Sequence, residues 1–112
     1  MAPELNLANH LAPRPSLLSP LAETTALLNL NVRAIVDDRD QVAVVPAVEQ
    51  SGNVVFCVTV GPGDLGKVIG KQGRTARSLR ILLSAIAKQQ GKSYSLDLDG
   101  RIFGEHGEGD ED

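Results

Sequence analysis

Aromatic residues and cysteine are scarce in this sequence. Among its 112 residues there are two phenylalanines, one tyrosine and no tryptophan, so we expect no binding site built on stacked aromatic rings. The single cysteine, Cys57, has no partner for an internal disulfide, which favours a reducing, cytoplasmic location. The sequence also lacks an apolar run of about 20 residues, the length needed to cross a bilayer, so we expect no membrane span.

The charged residues are unevenly distributed along the chain. The net charge is −3, yet residues 64–92 contain seven basic residues and one acidic residue, a local charge of +6. Residues 97–112 contain seven acidic residues and one arginine, a local charge of −6. A basic segment inside an otherwise acidic chain predicts an anionic partner for that segment.

The hydrophobic pattern predicts one small α+β domain with a segment on either side. Chains of about 100–150 residues usually form a single hydrophobic core. We expect a flexible, proline-containing arm over residues 1–19 and a folded domain over residues 20–99. Residues 100–112 are rich in glycine and acidic residues, which predicts a flexible acidic tail because such a segment has little to bury.

Apolar spacing and capping residues predict six elements in this domain. Ser19 and Pro20 are typical of a helix start, and Gly91 is typical of a helix end. Pro46 indicates a strand near a sheet edge, because proline has no N–H to donate. The expected elements are a helix over 20–36, strands over about 42–47 and 54–60, a short helix around 65–69 capped by Asp64, a helix over 74–90 and a strand over 93–98.

Two phosphate-binding motifs are matched only in part. Residues 61–66 fit the spacing GxGxxG, but no acidic residue closes a second strand about 20 residues later. The same segment nearly fits a P-loop, except that Val68 stands where a magnesium-binding hydroxyl is needed. His10, Cys57 and His106 lie far apart in the sequence. We therefore expect no enzymatic activity, no catalytic residues, no metal site and no cofactor.

The segment Val68-Ile69-Gly70-Lys71-Gln72-Gly73-Arg74 places two glycines around two polar residues, between two amphipathic helices. Because glycine has no side chain, such a loop can lie flush against a sugar-phosphate chain. The following helix turns its N–H groups and positive dipole end towards any phosphate bound there. A plain helix–turn–helix corner with surface lysines has the same spacing, so spacing alone leaves both interpretations open.

The longer string Asp64-Leu65-Gly66-Lys67-Val68-Ile69-Gly70-Lys71-Gln72-Gly73-Arg74 resembles the GXXG segment of a KH domain, in particular that of the KhpA family of small bacterial RNA-binding proteins. Residues 35–42 resemble the family's junction between first helix and first strand, and residues 91–93 its entry into the last strand. The resemblance spans about residues 21–99. It implies a type II KH fold in the order helix–strand–strand–helix–helix–strand, with helices packed on one face of a three-stranded sheet.

The resemblance implies that single-stranded RNA lies across the Gly70–Gly73 loop, with four nucleotides held by loop N–H groups and nearby cations. Ile69 is the expected floor of a groove for the bases, with Val58 or Val60 behind it. The expected RNA-binding residues are Lys67, Ile69, Gly70, Lys71, Gln72, Gly73, Arg74 and Arg77.

The resemblance also carries expectations about cellular role and partners. It implies an RNA chaperone or post-transcriptional regulator, with a family link to cell-shape regulation. A ribosome-associated or rRNA-processing factor, and a KH-fold protein-interaction module without RNA, remain alternatives. The family likeness implies a homodimer or a heterodimer with a KhpB-like protein. Ile81 and Leu82, at the border of the long helix's apolar face, are either contacts for such a partner or the ordinary edge of the core.

Overall fold

The helices begin and end at the residues that the local sequence signals indicate. The computed structural model describes residues 19–103. The predicted arm, apart from Ser19, and the predicted tail from residue 104 onward lie outside this range. Helix α1 (Pro20–Ile35) starts where Oγ of Ser19 accepts the N–H of Ala22 at 3.0 Å. Helix α2 spans Leu65–Ile69, and helix α3 spans Arg74–Gln90 and ends at Gly91, whose φ of 68° is left-handed.

The sheet contains four strands, one more than predicted. Strands β1 (Ala43–Val48), β2 (Val54–Thr59), β3 (Tyr94–Leu98) and β4 (Arg101–Phe103) lie side by side in that order. The β1–β2 and β3–β4 pairs are antiparallel, whereas β2 and β3 are parallel and are connected through α2 and α3. Strand β1 lies at an edge of the sheet, where Pro46 predicted it.

The additional strand β4 comes from residues predicted to begin the tail. Asp99 and Gly100 both have positive φ angles, of 53° and 89°. Two successive residues of this kind form the tight turn that joins antiparallel strands, and Asp-Gly is a preferred sequence for it. Leu98 therefore pairs with Arg101 directly across the turn. The prediction of three strands is therefore wrong, because the β3–β4 hairpin adds a fourth strand to the sheet.

The hydrophobic core lies between the helices and one face of the sheet. Alternate residues of the two central strands point into it, and the rings of Phe56 and Tyr94 meet edge to face with centroids 5.0 Å apart. On the opposite face, Val45 and Ile102 are 58% and 51% exposed. The buried core residues are Leu28, Val32, Val36, Val54, Phe56, Val58, Val68, Ala76, Leu79, Leu83, Ala87, Tyr94, Leu96 and Leu98.

A chain of hydrogen bonds connects the start of α1 with the end of α3. The Tyr94 hydroxyl donates to Oε1 of Gln90 at 2.5 Å, and Nε2 of Gln90 donates to the Thr24 hydroxyl at 3.4 Å. The Thr24 hydroxyl in turn donates to the carbonyl oxygen of Pro20 at 2.8 Å. Because buried polar groups need partners, this chain lets a tyrosine and a threonine lie inside the core. Within residues 19–103, no helix is both long and apolar enough to span a bilayer.

Candidate nucleic-acid interface

The first glycine of the loop between α2 and α3 occupies a position that only glycine can take. Gly70 has φ 81° and ψ 169°, a region essentially restricted to glycine. A Cβ atom placed on it would overlap Oγ1 of Thr75 and come within 2.8 Å of the Thr75 backbone nitrogen. Gly70 therefore lies directly against the first turn of α3, and this contact fixes the loop relative to that helix.

The second half of the loop is left-handed but not crowded. Gln72 and Gly73 have φ angles of 57° and 75°, a conformation that disfavours most side chains. A Cβ atom placed on Gly73 would have nothing within 4 Å. The conformation, rather than a neighbouring atom, therefore favours glycine at position 73. The space beside Gly73 is open to a ligand.

Of the four backbone N–H groups from Lys71 to Arg74, two donate hydrogen bonds within the loop. Gly73 donates its N–H to the carbonyl of Gly70 at 3.0 Å, and Arg74 donates to the carbonyl of Lys71. The N–H groups of Lys71 and Gln72 donate to no group within residues 19–103. Both residues are exposed. The two N–H groups at the tip of the loop are thus the ones available to an external acceptor.

Three cationic side chains surround this tip. Lys71 lies in the loop, and Arg74 and Arg77 lie one turn apart at the start of α3. All three are exposed, and none forms an ion pair with another residue of the described range. The free N–H groups, the positive end of the α3 dipole and these three charges converge on one surface, which can bind an anion such as phosphate.

Lys67 is oriented differently from the other predicted RNA-binding cations. Its ammonium nitrogen lies 3.1 Å from Oδ2 of Asp37 and 3.5 Å from Oδ1 of Asp64. The hydrogen bond and charge of Asp37, aided by Asp64, raise the pKa of Lys67 above its usual range. The Lys67 side chain therefore reaches towards the connection between α1 and β1, and its charge is already balanced by two carboxylates.

Asp64 occupies the N-cap position of α2, as predicted, but its side chain does not cap the helix. Its side chain is 5% exposed and accepts no hydrogen bond from the first turn of α2. Instead its two oxygens accept the backbone N–H groups of Asp38 at 2.9 Å and of Asp37 at 3.2 Å. These hydrogen bonds, with the nearby Lys67 charge, lower the pKa of Asp64. The carboxylate thus joins the start of α2 to the α1–β1 connection.

A small cavity with both apolar and polar lining residues lies beside the start of α2, but Ile69 does not line it. The cavity measures about 200 Å³. Ile69 is half-buried and packs against the hydrophobic core. Val58 and Val60, which were expected behind Ile69, line this cavity together with Leu65. The lining residues are Val58, Thr59, Val60, Gly61, Pro62, Leu65 and Asp99. Asp99 was not among the predicted site residues. The Asp-Gly turn is the sequence signal that could have indicated its position here.

Ile81 and Leu82 lie on the exposed side of α3. They are 54% and 37% exposed, so they are not ordinary core residues. Ile81 also lines a surface cavity of about 540 Å³ together with Lys88 and Lys92.

Cys57 lies in strand β2 on the face of the sheet away from the helices. Burial and the neighbouring Asp97 carboxylate raise the pKa of its thiol, so the thiol is protonated at neutral pH and is a poor nucleophile. Within residues 19–103, no three histidine, cysteine or acidic side chains approach closely enough to hold a metal ion. His10 and His106 lie outside this range.

Comparison with known proteins relates the sequence to one family. The sequence model of the KhpA/KhpB KH domain matches residues 25–98. The RNA-binding protein KhpA of Aquifex aeolicus is 43% identical over 72 residues, which cover 64% of this chain and 90% of that protein. The RNA-binding protein KhpA of Streptomyces coelicolor is 46% identical over 67 residues, or 60% of this chain and 80% of that protein.

A third relative, the RNA-binding protein KhpA of Leifsonia xyli subsp. xyli, is 50% identical over 56 residues, which cover 50% of this chain and 72% of that protein. No solved structure gives a significant match. The matched segment begins within α1 and ends with β3, so it contains the whole of the loop and the strands that support it. This chain belongs to the KhpA/KhpB KH-domain family.

Proposed function

We propose that this protein binds single-stranded RNA across the Gly70–Gly73 loop. The observation that carries the proposal is the pair of N–H groups at Lys71 and Gln72, which have no hydrogen-bond partner among residues 19–103 and lie beside exposed cations at the start of α3. The relatives named above are RNA-binding proteins by name, and a KH domain typically holds four nucleotides at such a loop.

In the proposed complex, phosphate oxygens accept the N–H groups of Lys71 and Gln72. The side chains of Lys71, Arg74 and Arg77 supply the balancing positive charge. The bases lie towards the small cavity lined by Val60 and Leu65. Since the described site contains no stacking ring, affinity comes mainly from phosphate contacts and sequence preference is loose. Duplex RNA competes poorly, because its bases are paired and cannot enter the cavity.

The proposed cellular role is that of an RNA chaperone or post-transcriptional regulator in the cytoplasm, without catalytic activity or cofactor. A module with one loop binds RNA weakly, and joining two modules raises affinity through effective concentration. We therefore include in the proposal self-association, or association with a KhpB-like protein, through the exposed surface at Ile81 and Leu82. The link to cell-shape regulation rests on family likeness alone.

The loop is tested with the double variant Lys71→Asp/Gln72→Asp. Both side chains are exposed, and aspartate tolerates the left-handed conformation at position 72 better than most residues. The variant places two negative charges against the phosphates, so we expect RNA binding to be abolished and the circular dichroism spectrum to be unchanged. Fluorescence anisotropy with a short labelled single-stranded RNA measures the affinity.

A matched control is Gln50→Asp/Lys92→Asp. It makes the same change in net charge at two exposed positions near the opposite end of the sheet. We expect this control to retain most of the affinity. Equal affinity of the wild-type protein and the loop variant contradicts RNA binding at this loop. Crosslinking in cells and sequencing of the attached RNA then separates messenger and small RNAs from ribosomal RNA; recovery of no RNA favours a protein-interaction module.

A further inference from the structure

The ion pair between Lys67 and Asp37 bears directly on how many phosphates the loop region can neutralise. Lys67 lies in α2, three residues before Gly70, so the two are about 5 Å apart along the helix axis. Its side chain is 45% exposed. Because its four-carbon side chain is flexible, the ammonium group can move away from the position it occupies beside Asp37. Lys67 is therefore the fourth cation near the loop, after Lys71, Arg74 and Arg77.

The two carboxylates that hold Lys67 differ in character. Asp64 is 5% exposed in its side chain and is fixed by two backbone N–H groups. Asp37 is 81% exposed in its side chain, and its shortest contact is the 3.1 Å ion pair with Lys67. The backbone N–H of Asp37, not its carboxylate, makes the contact with Asp64. The Asp37 carboxylate can thus be removed without disturbing the hydrogen bonds by which Asp64 joins α2 to the α1–β1 connection.

We propose that Asp37 competes with RNA phosphate for Lys67, so that the protein binds RNA more weakly and with less salt dependence than its basic residues would allow. The inference rests on the proposed function of the Gly70–Gly73 loop. In the free protein Lys67 faces Asp37 and Asp64 and contributes no net attraction for RNA. A phosphate that approaches Lys67 must displace the Asp37 carboxylate, which is feasible because exposed ion pairs are weak.

The competition has a measurable signature in the salt dependence of binding. Each phosphate contact on a single strand contributes a slope of about −0.7 to log K against log salt. Contacts from Lys71, Arg74 and Arg77 without Lys67 give a slope of about −2.1. If Lys67 is released to a fourth phosphate, the slope becomes about −2.8. The slope therefore reports whether Lys67 is engaged with RNA.

The test compares Asp37→Asn with Asp40→Asn. Asp40 is an exposed acid in the same connection and forms no ion pair with a residue of the described range, so both variants remove one negative charge from nearly the same place. Affinity for a short labelled single-stranded RNA is measured by anisotropy over a series of salt concentrations. We expect Asp37→Asn to bind roughly two- to five-fold more tightly at low salt and to have a steeper slope by about 0.7. We expect Asp40→Asn to leave the slope unchanged.

A third variant, Asp37→Asn/Lys67→Gln, assigns the gain to Lys67. It should return the slope to the wild-type value, and thermal unfolding confirms that it is folded. If Asp37→Asn and Asp40→Asn have the same slope, the inference is wrong, whatever the double variant does. If wild-type protein fails to bind RNA, or the Lys71→Asp/Gln72→Asp variant binds as well as wild type, the proposed function itself is wrong. The two failures are thus distinguishable.

Discussion

A methyl group added to Gly70 would come within 2.8 Å of the backbone nitrogen of Thr75. Real Cβ atoms do not approach backbone atoms this closely, so the first loop glycine and the first turn of α3 form one packed unit. The loop is therefore positioned before any ligand arrives. Preorganisation of this kind lowers the cost of ordering a binding site.

The two loop glycines should respond differently to substitution by alanine. Gly70→Ala meets both an unfavourable backbone conformation and the Thr75 backbone, so we expect it to reduce the free energy of unfolding by at least about 2 kcal/mol. Gly73→Ala meets only the left-handed conformation, with open space around it, and should cost about 1 kcal/mol. Urea unfolding followed by circular dichroism measures both. Equal losses would show that the contact with Thr75 does not constrain the loop.

Asp64 should make the free energy of unfolding depend on pH. Its folded-state pKa is lowered by the N–H groups of Asp38 and Asp37 and by Lys67, so the unfolded chain binds this proton more readily than the folded one. Its stabilising contribution is fully present above the unfolded pKa of about 3.9. It is lost as pH falls from there through the lower folded pKa.

The variant Asp64→Asn tests this dependence. It removes the ionisable group and leaves one oxygen for two N–H donors, so we expect lower stability at neutral pH and a smaller loss of stability on acidification. Asp40→Asn controls for the change in net charge. The urea midpoint is measured at several values between about pH 2 and pH 5. An acid-induced loss as steep in Asp64→Asn as in wild type would contradict the role assigned to this carboxylate.

The outer surface of α3 should mediate the proposed self-association. Ile81→Asp places a charge at a 54% exposed apolar position, and we expect it to yield a monomer in sedimentation equilibrium. Leu30→Asp makes the same kind of change at a 61% exposed leucine of α1 and should leave the association intact. Wild-type protein that stays monomeric at every concentration, or dimers that survive Ile81→Asp, would exclude this surface.

Helix boundaries were predictable from the sequence because the signals that set them are local. Ser19 and Pro20 begin α1, and Gly91 ends α3 in the left-handed conformation that glycine favours. The parallel pairing of β2 with β3 was not predicted, because it depends on how α2 and α3 pack between the two strands. The composition of residues 100–112 predicts a tail, but the local turn signal of Asp99 and Gly100 determines the structure of residues 101–103, which form β4.

The sequence predicted which residues form the candidate site, but not how they are arranged in space. The sequence indicated which segment forms the loop, but not that the N–H groups of Lys71 and Gln72 are free while those of Gly73 and Arg74 are used. It also could not show that Asp64 binds backbone groups 26 and 27 residues away. Such contacts arise from the packing of α2 against the α1–β1 connection, which no local pattern encodes. The roles of the site residues in RNA binding remain predictions.

The parallel pairing of β2 and β3 has a consequence for synthesis. Phe56 is aligned with Leu96, and every residue of the loop lies between these two partners. A growing chain that has not yet reached Tyr94 therefore has no strand to pair with that side of β2, and the core behind the loop stays open. Long-range pairing of this kind also forms slowly. We expect the loop to be fixed against the core only after residues 94–98 have been synthesised and have paired with β2.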